Sequence, residues 1–244
     1  MAPRLQMVAS GLAPHEPADF IGSLPSTGVE IETGAPPIGK REQRRLERRR
    51  VILAVATQSF LENGYDGTTM SGISAQLGGS KGTLWNHFSS KEELFAAFLD
   101  EVTATFRQKL LTVLDSSREL RPALITFIQQ FMEKISLPES IKLYRLVAGE
   151  SGRSPEVGRM FYERAPGAVE AILGRFLGDH MKAGRLQTAD PTRAARILIA
   201  LSVGNGHQQM LIGSPPVDLG GLQEEALQIV DLFLSLYASA DCAA

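Results

Sequence analysis

A chain of 244 residues with 43% hydrophobic content can form one large or two small domains around a sizeable core, which excludes disorder throughout. The formal net charge of −2 argues against indiscriminate binding of nucleic acid. A single cysteine, Cys242, excludes an intramolecular disulfide framework and fits a reducing cytoplasm.

The net charge hides an asymmetry. Residues 1–39 carry one basic and four acidic side chains, residues 40–91 nine and four, and the remainder fifteen and nineteen. The first 39 residues are rich in Pro, Gly, Ser and Thr, have no helical or strand period and end in GAPPIG, so a disordered tail is expected. Its opening, MAPRLQMVASGLAPHEPADF, has no continuous apolar stretch, and no later run reaches the ~18 apolar residues of a membrane span. The expectation is a soluble, cytoplasmic protein without a membrane partner. From Lys40 onward nearly every segment has a 3.6-residue apolar period punctuated by glycine and proline, which predicts an all-α fold.

The run KREQRRLERRR at residues 40–50 has seven basic and two acidic residues and leads into a helix over about residues 41–63. It reads equally as an arm for phosphates or the minor groove and as a solvated helical extension. Ile52, Val55, Ala56, Ser59 and Phe60 form the apolar face of this first helix, and Gly64 is its expected stop. In TTMSGISAQLGG, Thr68 or Thr69 caps a short helix with Met70, Ile73 and Leu77 inward, ended by Gly78 and Gly79. A second short helix over residues 80–88 places Leu84 and Phe88 on one face, which makes a helix-turn-helix. Ser90 and Glu93 form a predicted capping box for a long helix over residues 91–114. Further helices are predicted at about residues 119–135, 139–151, 155–183 with a bend at Pro166, 191–211 and 221–239. Ser154-Pro155 and Asp190-Pro191 mark starts, while Gly184 and Gly213 mark stops.

If Leu84 and Phe88 face inward, Ser80, Lys81, Thr83, Trp85, Asn86 and His87 form an exposed face. Small residues, Gly82 among them, let that helix approach another surface closely. Donors and acceptors for base edges beside hydroxyls and lysines for phosphates are what a major-groove reader requires.

Residues 48–95, RRRVILAVATQSFLENGYDGTTMSGISAQLGGSKGTLWNHFSSKEELF, resemble the DNA-binding domain of the TetR/AcrR transcriptional regulators. The resemblance implies a dimeric, ligand-responsive regulator, usually a repressor, with an N-terminal helix-turn-helix and a larger helical ligand-binding and dimerisation domain. It divides the chain into a tail (1–39), a DNA-binding domain (40–94) and an effector-binding and dimerisation domain (95–244). It also implies phosphate contacts from Thr69, Trp85, His87 and Lys91, base-edge contacts from Ser80, Lys81, Thr83 and Asn86, and close approach at Gly82. The implied partners are double-stranded, roughly palindromic operator DNA, a small-molecule effector and a second copy of the chain. Two departures stand out. Trp85 replaces a common tyrosine and so offers an N–H donor but no hydroxyl acceptor. The turn reads GGS rather than GVS, so Gly79 removes a small apolar anchor, and Gly72 inside the preceding helix costs ~1 kcal/mol relative to alanine.

In the C-terminal part, aromatics and methionines recur at helical intervals. Phe127, Phe131, Met160 and Phe161 are candidates for an apolar effector site, with Tyr144, Asn205, His207 and Gln208 as its polar members. The segment YRLVAGESGRSPEVGRMFYERAP also resembles the effector domain of a TetR branch linked to efflux and stress genes, which implies a small lipophilic ligand. The family resemblance makes the last two helices the dimer interface. LQIVDLFLSLY is too apolar around its circumference for a solvent-facing helix, so Leu227, Val230, Phe233, Leu234 and Tyr237 are expected there. The four histidines are scattered, no H-E-x-x-H, paired cysteines or phosphate-binding glycine loop occurs, and GESG at 149–152 lacks nucleophile-elbow spacing. Neither an enzyme, a cofactor nor a metal site is expected. The alternatives are a helical ligand carrier or enzyme that keeps the headpiece only as structure, and a helical adaptor that binds another protein through its last helix.

Overall fold

A computed structural model of the protein describes residues 39–78, 81–213 and 221–239. Of the tail expected over residues 1–39, all but Gly39 lies outside the described residues, as do Ser80, Cys242 and the side chains of Lys81 and Asn205. Ten helices and no strand occur among the described residues: α1 (Lys40–Gly67), α2 (Met70–Gln76), α3 (Lys81–Trp85), α4 (Lys91–Val113), α5 (Leu120–Ser136), α6 (Pro138–Ser151), α7 (Pro155–Arg164), α8 (Pro166–Lys182), α9 (Pro191–Leu211) and α10 (Leu222–Tyr237). None of them is long and apolar enough to cross a membrane.

Local chemistry sets most boundaries. Gly64 leaves helical geometry at φ 75°, ψ −179°, a conformation essentially reserved for glycine, although helical turns resume as far as Gly67. Thr69 caps α2, its Oγ1 accepting from the Gly72 amide at 3.0 Å. Asp190 caps α9 by accepting from the amides of Thr192 and Arg193. The expected capping box at α4 is half realised. Ser90 Oγ accepts from the Glu93 amide at 3.2 Å, but the Glu93 carboxylate accepts from the amide and hydroxyl of Ser89, both at 2.8 Å, one residue earlier than the box requires.

Four expectations are corrected. The second short helix ends at Trp85, five residues long, and the His87 amide turns back to the Leu84 carbonyl at 3.0 Å, a tightened last turn that leaves Asn86 and His87 in the exit from the helix. Residues 155–183 form two helices rather than one bent helix, because Ala165 adopts φ −117°, ψ −90° and Pro166 starts α8 as its first residue. Ser154 makes no side-chain cap. Inside α9, Gly204 (φ 48°, ψ −176°) breaks the helix where none was expected.

Two apolar cores hold the chain together. The headpiece core gathers Ile52, Ala56 and Phe60 of α1, Ile73 of α2, Leu84 and Phe88 around α3, and Leu94, Phe95, Phe98 and Leu99 of α4. Phe60 meets Phe95 at 5.0 Å, nearly edge-on, and Phe98 at 5.5 Å between centroids. Val147 of α6 and Val157 of α7 complete this core, so its packing crosses residues 94–95 into the C-terminal part. The larger core runs from Leu110 of α4 through Phe127, Phe176, Leu177 and Leu198 to Phe233 of α10. Gly178 of α8 lets α9 approach: a Cβ there would lie 3.2 Å from Pro191 Cγ.

The outer face of α10 also differs from expectation. Val230 and Phe233 are fully buried within their own chain, while Leu232 and Leu236 are 51% and 57% exposed. Residues four apart lie on one helix face, so the outward apolar stripe is Leu232–Leu236.

His180 of α8 is fully buried, and neither ring nitrogen has a hydrogen-bond partner; its ring lies 4.4 Å from that of Phe176. Burial, reinforced by Arg185 and opposed by Asp179, holds its pKa below the ordinary histidine value. The unfolded chain takes up this proton near pH ~6.5 while the fold still resists it. Stability is therefore complete above that pH and falls as the pH drops toward the depressed folded value. His180→Leu should leave stability at neutral pH equal or higher and make its loss on acidification shallower by up to about one proton; identical slopes in denaturant titrations at several pH values would refute this.

Candidate nucleic-acid interface

The helix-turn-helix presents its polar residues by anchoring its apolar ones. Leu84 and Phe88 are buried in the headpiece core, and this turns Gly82, Trp85 and Asn86 outward. Trp85 is 41% exposed, and its indole carries one N–H donor and no acceptor. Thr69 is exposed, and its hydroxyl, although accepting from Gly72, keeps its own O–H to donate. Thr83 is half-buried, and the α3 backbone begins at Lys81.

His87 and Lys91 are more engaged than an exposed face suggests. The His87 carbonyl accepts from Arg49 Nη1 at 3.2 Å, and the Arg49 guanidinium lies 4.1 Å from the centre of the Phe88 ring. Burial first, then Arg45, Arg49 and Arg48, lowers the His87 pKa, so a neutral imidazole that can donate one hydrogen bond is favoured. Lys91 Nζ donates to the Tyr65 carbonyl at 3.1 Å and sits 4.1 Å from the centre of the Tyr65 ring. An ammonium has three donors, so Lys91 clamps α1 to α4 and retains capacity for a phosphate. Tyr65 OH donates to Glu92 at 3.2 Å; burial, then the Glu92 charge, pushes its pKa well above the ordinary tyrosine value.

Among the described side chains, the expected effector residues fall into separate groups. Tyr144 meets Phe161 and His207, each at 6.0 Å and nearly perpendicular, and Met160 joins Phe161 at the edge of the headpiece core. His207 Nδ1 is buried without a partner, and burial lowers the pKa of this ring. Phe127 and Phe131 instead stack on each other at 5.7 Å inside the larger core. Gln208 is exposed. A shallow groove lined by Val113, Arg118, Glu119, Pro122, Ala123 and Thr126 includes none of the expected effector residues.

Several connecting residues escaped the sequence reading. A Cβ on Gly64 would lie 3.1 Å from Glu150 Oε1, so α6 rests directly on the break in α1. Arg164 of α7 pairs with Asp100 of α4 at 3.6 Å. GESG lacks nucleophile-elbow spacing and lies within the segment resembling an effector domain, and neither reading points to the contact that its Glu150 makes. Arg49 was legible only as one of seven basic residues in a run.

Residues 52–98 match the family described as bacterial regulatory proteins, tetR family, and residues 122–239 match the AefR-like transcriptional repressor, C-terminal domain. The chain is 38% identical to the HTH-type transcriptional activator FasR of Mycolicibacterium smegmatis over 216 residues, 85% of this chain and 94% of FasR. Among solved structures, the flavonoid-responsive regulator FrrA is similar with a TM-score of 0.71 at 30% identity, over 80% of this chain and 98% of FrrA. A TetR-family regulator from Mesorhizobium loti is similar with a TM-score of 0.70 at 27% identity, over 80% of this chain and 98% of that one. With both halves matched in order and one relative aligned along nearly its whole length, the chain belongs to the TetR family of ligand-responsive, DNA-binding transcriptional regulators.

Proposed function

We propose that this protein is a cytoplasmic, homodimeric repressor that occupies a roughly palindromic operator and leaves it when a small lipophilic molecule binds the C-terminal domain. The observation that carries the reading is the outward set Gly82, Trp85 and Asn86, held by the buried pair Leu84 and Phe88. Ser80, Lys81, Thr83 and Asn86 read base edges; Thr69, Trp85, His87 and Lys91 hold phosphates. Dimerisation rests on Leu232 and Leu236, an apolar stripe that would otherwise face water. A two-fold axis beside α10 would set two recognition helices about one DNA turn, ~34 Å, apart. Tyr144, Phe161 and His207 favour an uncharged, aromatic effector, since the imidazole is held neutral and Nδ1 lacks a partner. FrrA, which is flavonoid-responsive, has an effector of that chemical class. The AefR-like repressor match over the C-terminal domain favours repression, whereas FasR is an activator. A reporter behind the selected operator decides the sign: deleting the protein should raise its output, and a fall would make the protein an activator.

Selection from random-sequence duplex DNA should recover a two-fold symmetric site, and recovery of no preferred sequence would refute the reading. On that site Lys81→Ala should relax preference at one position, at a cost of ~1–3 kcal/mol for the preferred base. Lys91→Ala should weaken matched and mismatched duplexes alike, flatten the dependence of log K on log salt by about 0.9, and lower folding stability by ~0.5–1 kcal/mol through the lost contact with the Tyr65 ring. Anisotropy over a salt series, with parallel thermal melts, distinguishes the two; the same behaviour in both variants would mean the roles are misassigned. Leu236→Asp should yield a folded monomer by sedimentation, because Leu236 is outside its own chain's core; an unchanged dimer mass would move the interface elsewhere.

A further inference from the structure

The apolar stripe of α1 does not stop where the headpiece core stops. Ile52, Ala56, Ser59 and Phe60 are buried, and stepping back from Ile52 by three, four, seven and eleven residues gives Arg49, Arg48, Arg45 and Arg41. These spacings keep all four on the side of the helix that faces the core further along. Arg49, the nearest, lies over Phe88 and donates to the His87 carbonyl. The stripe therefore leaves the headpiece at the end of the recognition segment, beside the residues already assigned to DNA. At 1.5 Å per residue, Arg41 is ~12 Å farther along the axis than Arg49, which carries its charge well beyond the recognition segment. This segment precedes residue 52, where the match to the tetR family begins.

Its charges are poorly compensated within the chain. Seven basic residues face two acidic ones, at the end of the helix where the macrodipole is already positive. Arg45 pairs with Glu42 at 3.6 Å and Arg50 with Glu47 at 3.8 Å, both exposed pairs of small worth. Arg41, Arg44 and Arg48 form no ion pair among the described residues. A polyanion along this side would relieve the repulsion and stabilise the helix.

We infer that residues 40–49 form a second DNA-contacting element, an arginine-bearing helix that lies along the phosphates flanking the bases read by α3. It adds affinity without sequence preference and lengthens the stretch of duplex each protomer needs. This rests on the operator binding proposed above. The inference makes the basic run a built extension of the reading head rather than a solvated tail.

The test uses the full chain and the duplex recovered by selection, cut with long or short flanks, with binding followed by anisotropy over a salt series. Arg41→Gln with Arg45→Gln keeps helix propensity nearly constant and spares Arg49, which packs on Phe88. The double variant should keep the sequence preference, lose about 0.9 of salt slope for each lost phosphate contact, and bind long and short duplexes equally. Wild type should bind the short one more weakly. Arg41→Lys with Arg45→Lys should retain the wild-type slope, which a purely structural role for guanidinium packing would not predict. A glutamine variant with wild-type slope and flank dependence would overturn this inference alone; failure of wild type to prefer any duplex would overturn the operator reading and this inference with it.

Discussion

The packing of Phe60 against Phe95 and Phe98 is the constraint on which the rest of the molecule depends. These rings join α1 to α4, and α4 continues without interruption from Phe95 in the headpiece core to Leu110 and Val113 in the larger core. Fully burying a phenylalanine contributes roughly 1.5–3 kcal/mol, and edge-on pairs add specific geometry. The orientation of α2 and α3 is thus referred, through one helix, to the interior of the C-terminal domain.

That dependence is reinforced at the other side of the headpiece. Val147 and Val157 fill its core from α6 and α7, Glu150 rests on Gly64, and Arg164 pairs with Asp100. A headpiece closed by residues from α6 and α7 cannot turn independently of them, because interiors at close-packed density change arrangement in discrete steps. An effector acts on such a device only if it binds one arrangement better than the other. Tyr144 and Phe161 lie on the same two helices as Val147 and Val157, so a ligand between those rings would press on elements that already complete the headpiece core.

What could be read from the sequence divides along a physical line. Local hydrogen bonding was legible, since Thr69, Ser90 and Asp190 cap helices as their types require, and so was the inward pair Leu84 and Phe88. Tertiary choices were not. LQIVDLFLSLY is apolar on more than one side, and periodicity alone does not say which side meets the chain's own α5 and which faces outward; Val230 and Phe233 turned in, Leu232 and Leu236 turned out. Phe127 and Phe131 had the same spacing a ligand site would use, yet they stack in the core. The break at Gly204 was hidden because a single glycine is tolerated inside a helix, and only its φ of 48° distinguishes the two cases. Arg49 was invisible for a related reason: a cation over an aromatic ring has no signature in one dimension.

Charge placement follows from the same architecture. The chain's net charge is −2, but residues 40–91 hold nine basic and four acidic side chains while the residues after them hold fifteen and nineteen. A duplex approaching the C-terminal part meets net negative charge, and one approaching the headpiece meets net positive charge, so the long-range field alone favours the orientation in which α3 can enter a groove. At a Debye length of ~8 Å in physiological salt, this steering acts only over a thin layer, about two to three water molecules deep, before contact. Within that layer the arginines differ in kind. Arg49 is committed to Phe88 and His87 and so ties headpiece packing to the positive surface, whereas Arg45 is largely solvent-exposed and can reorganise at little cost. On the proposed operator, phosphate neutralisation would accordingly be divided between a cation packed beside α3 and exposed ones beyond it, so that affinity could be adjusted along the extension without disturbing the packing that orients α3.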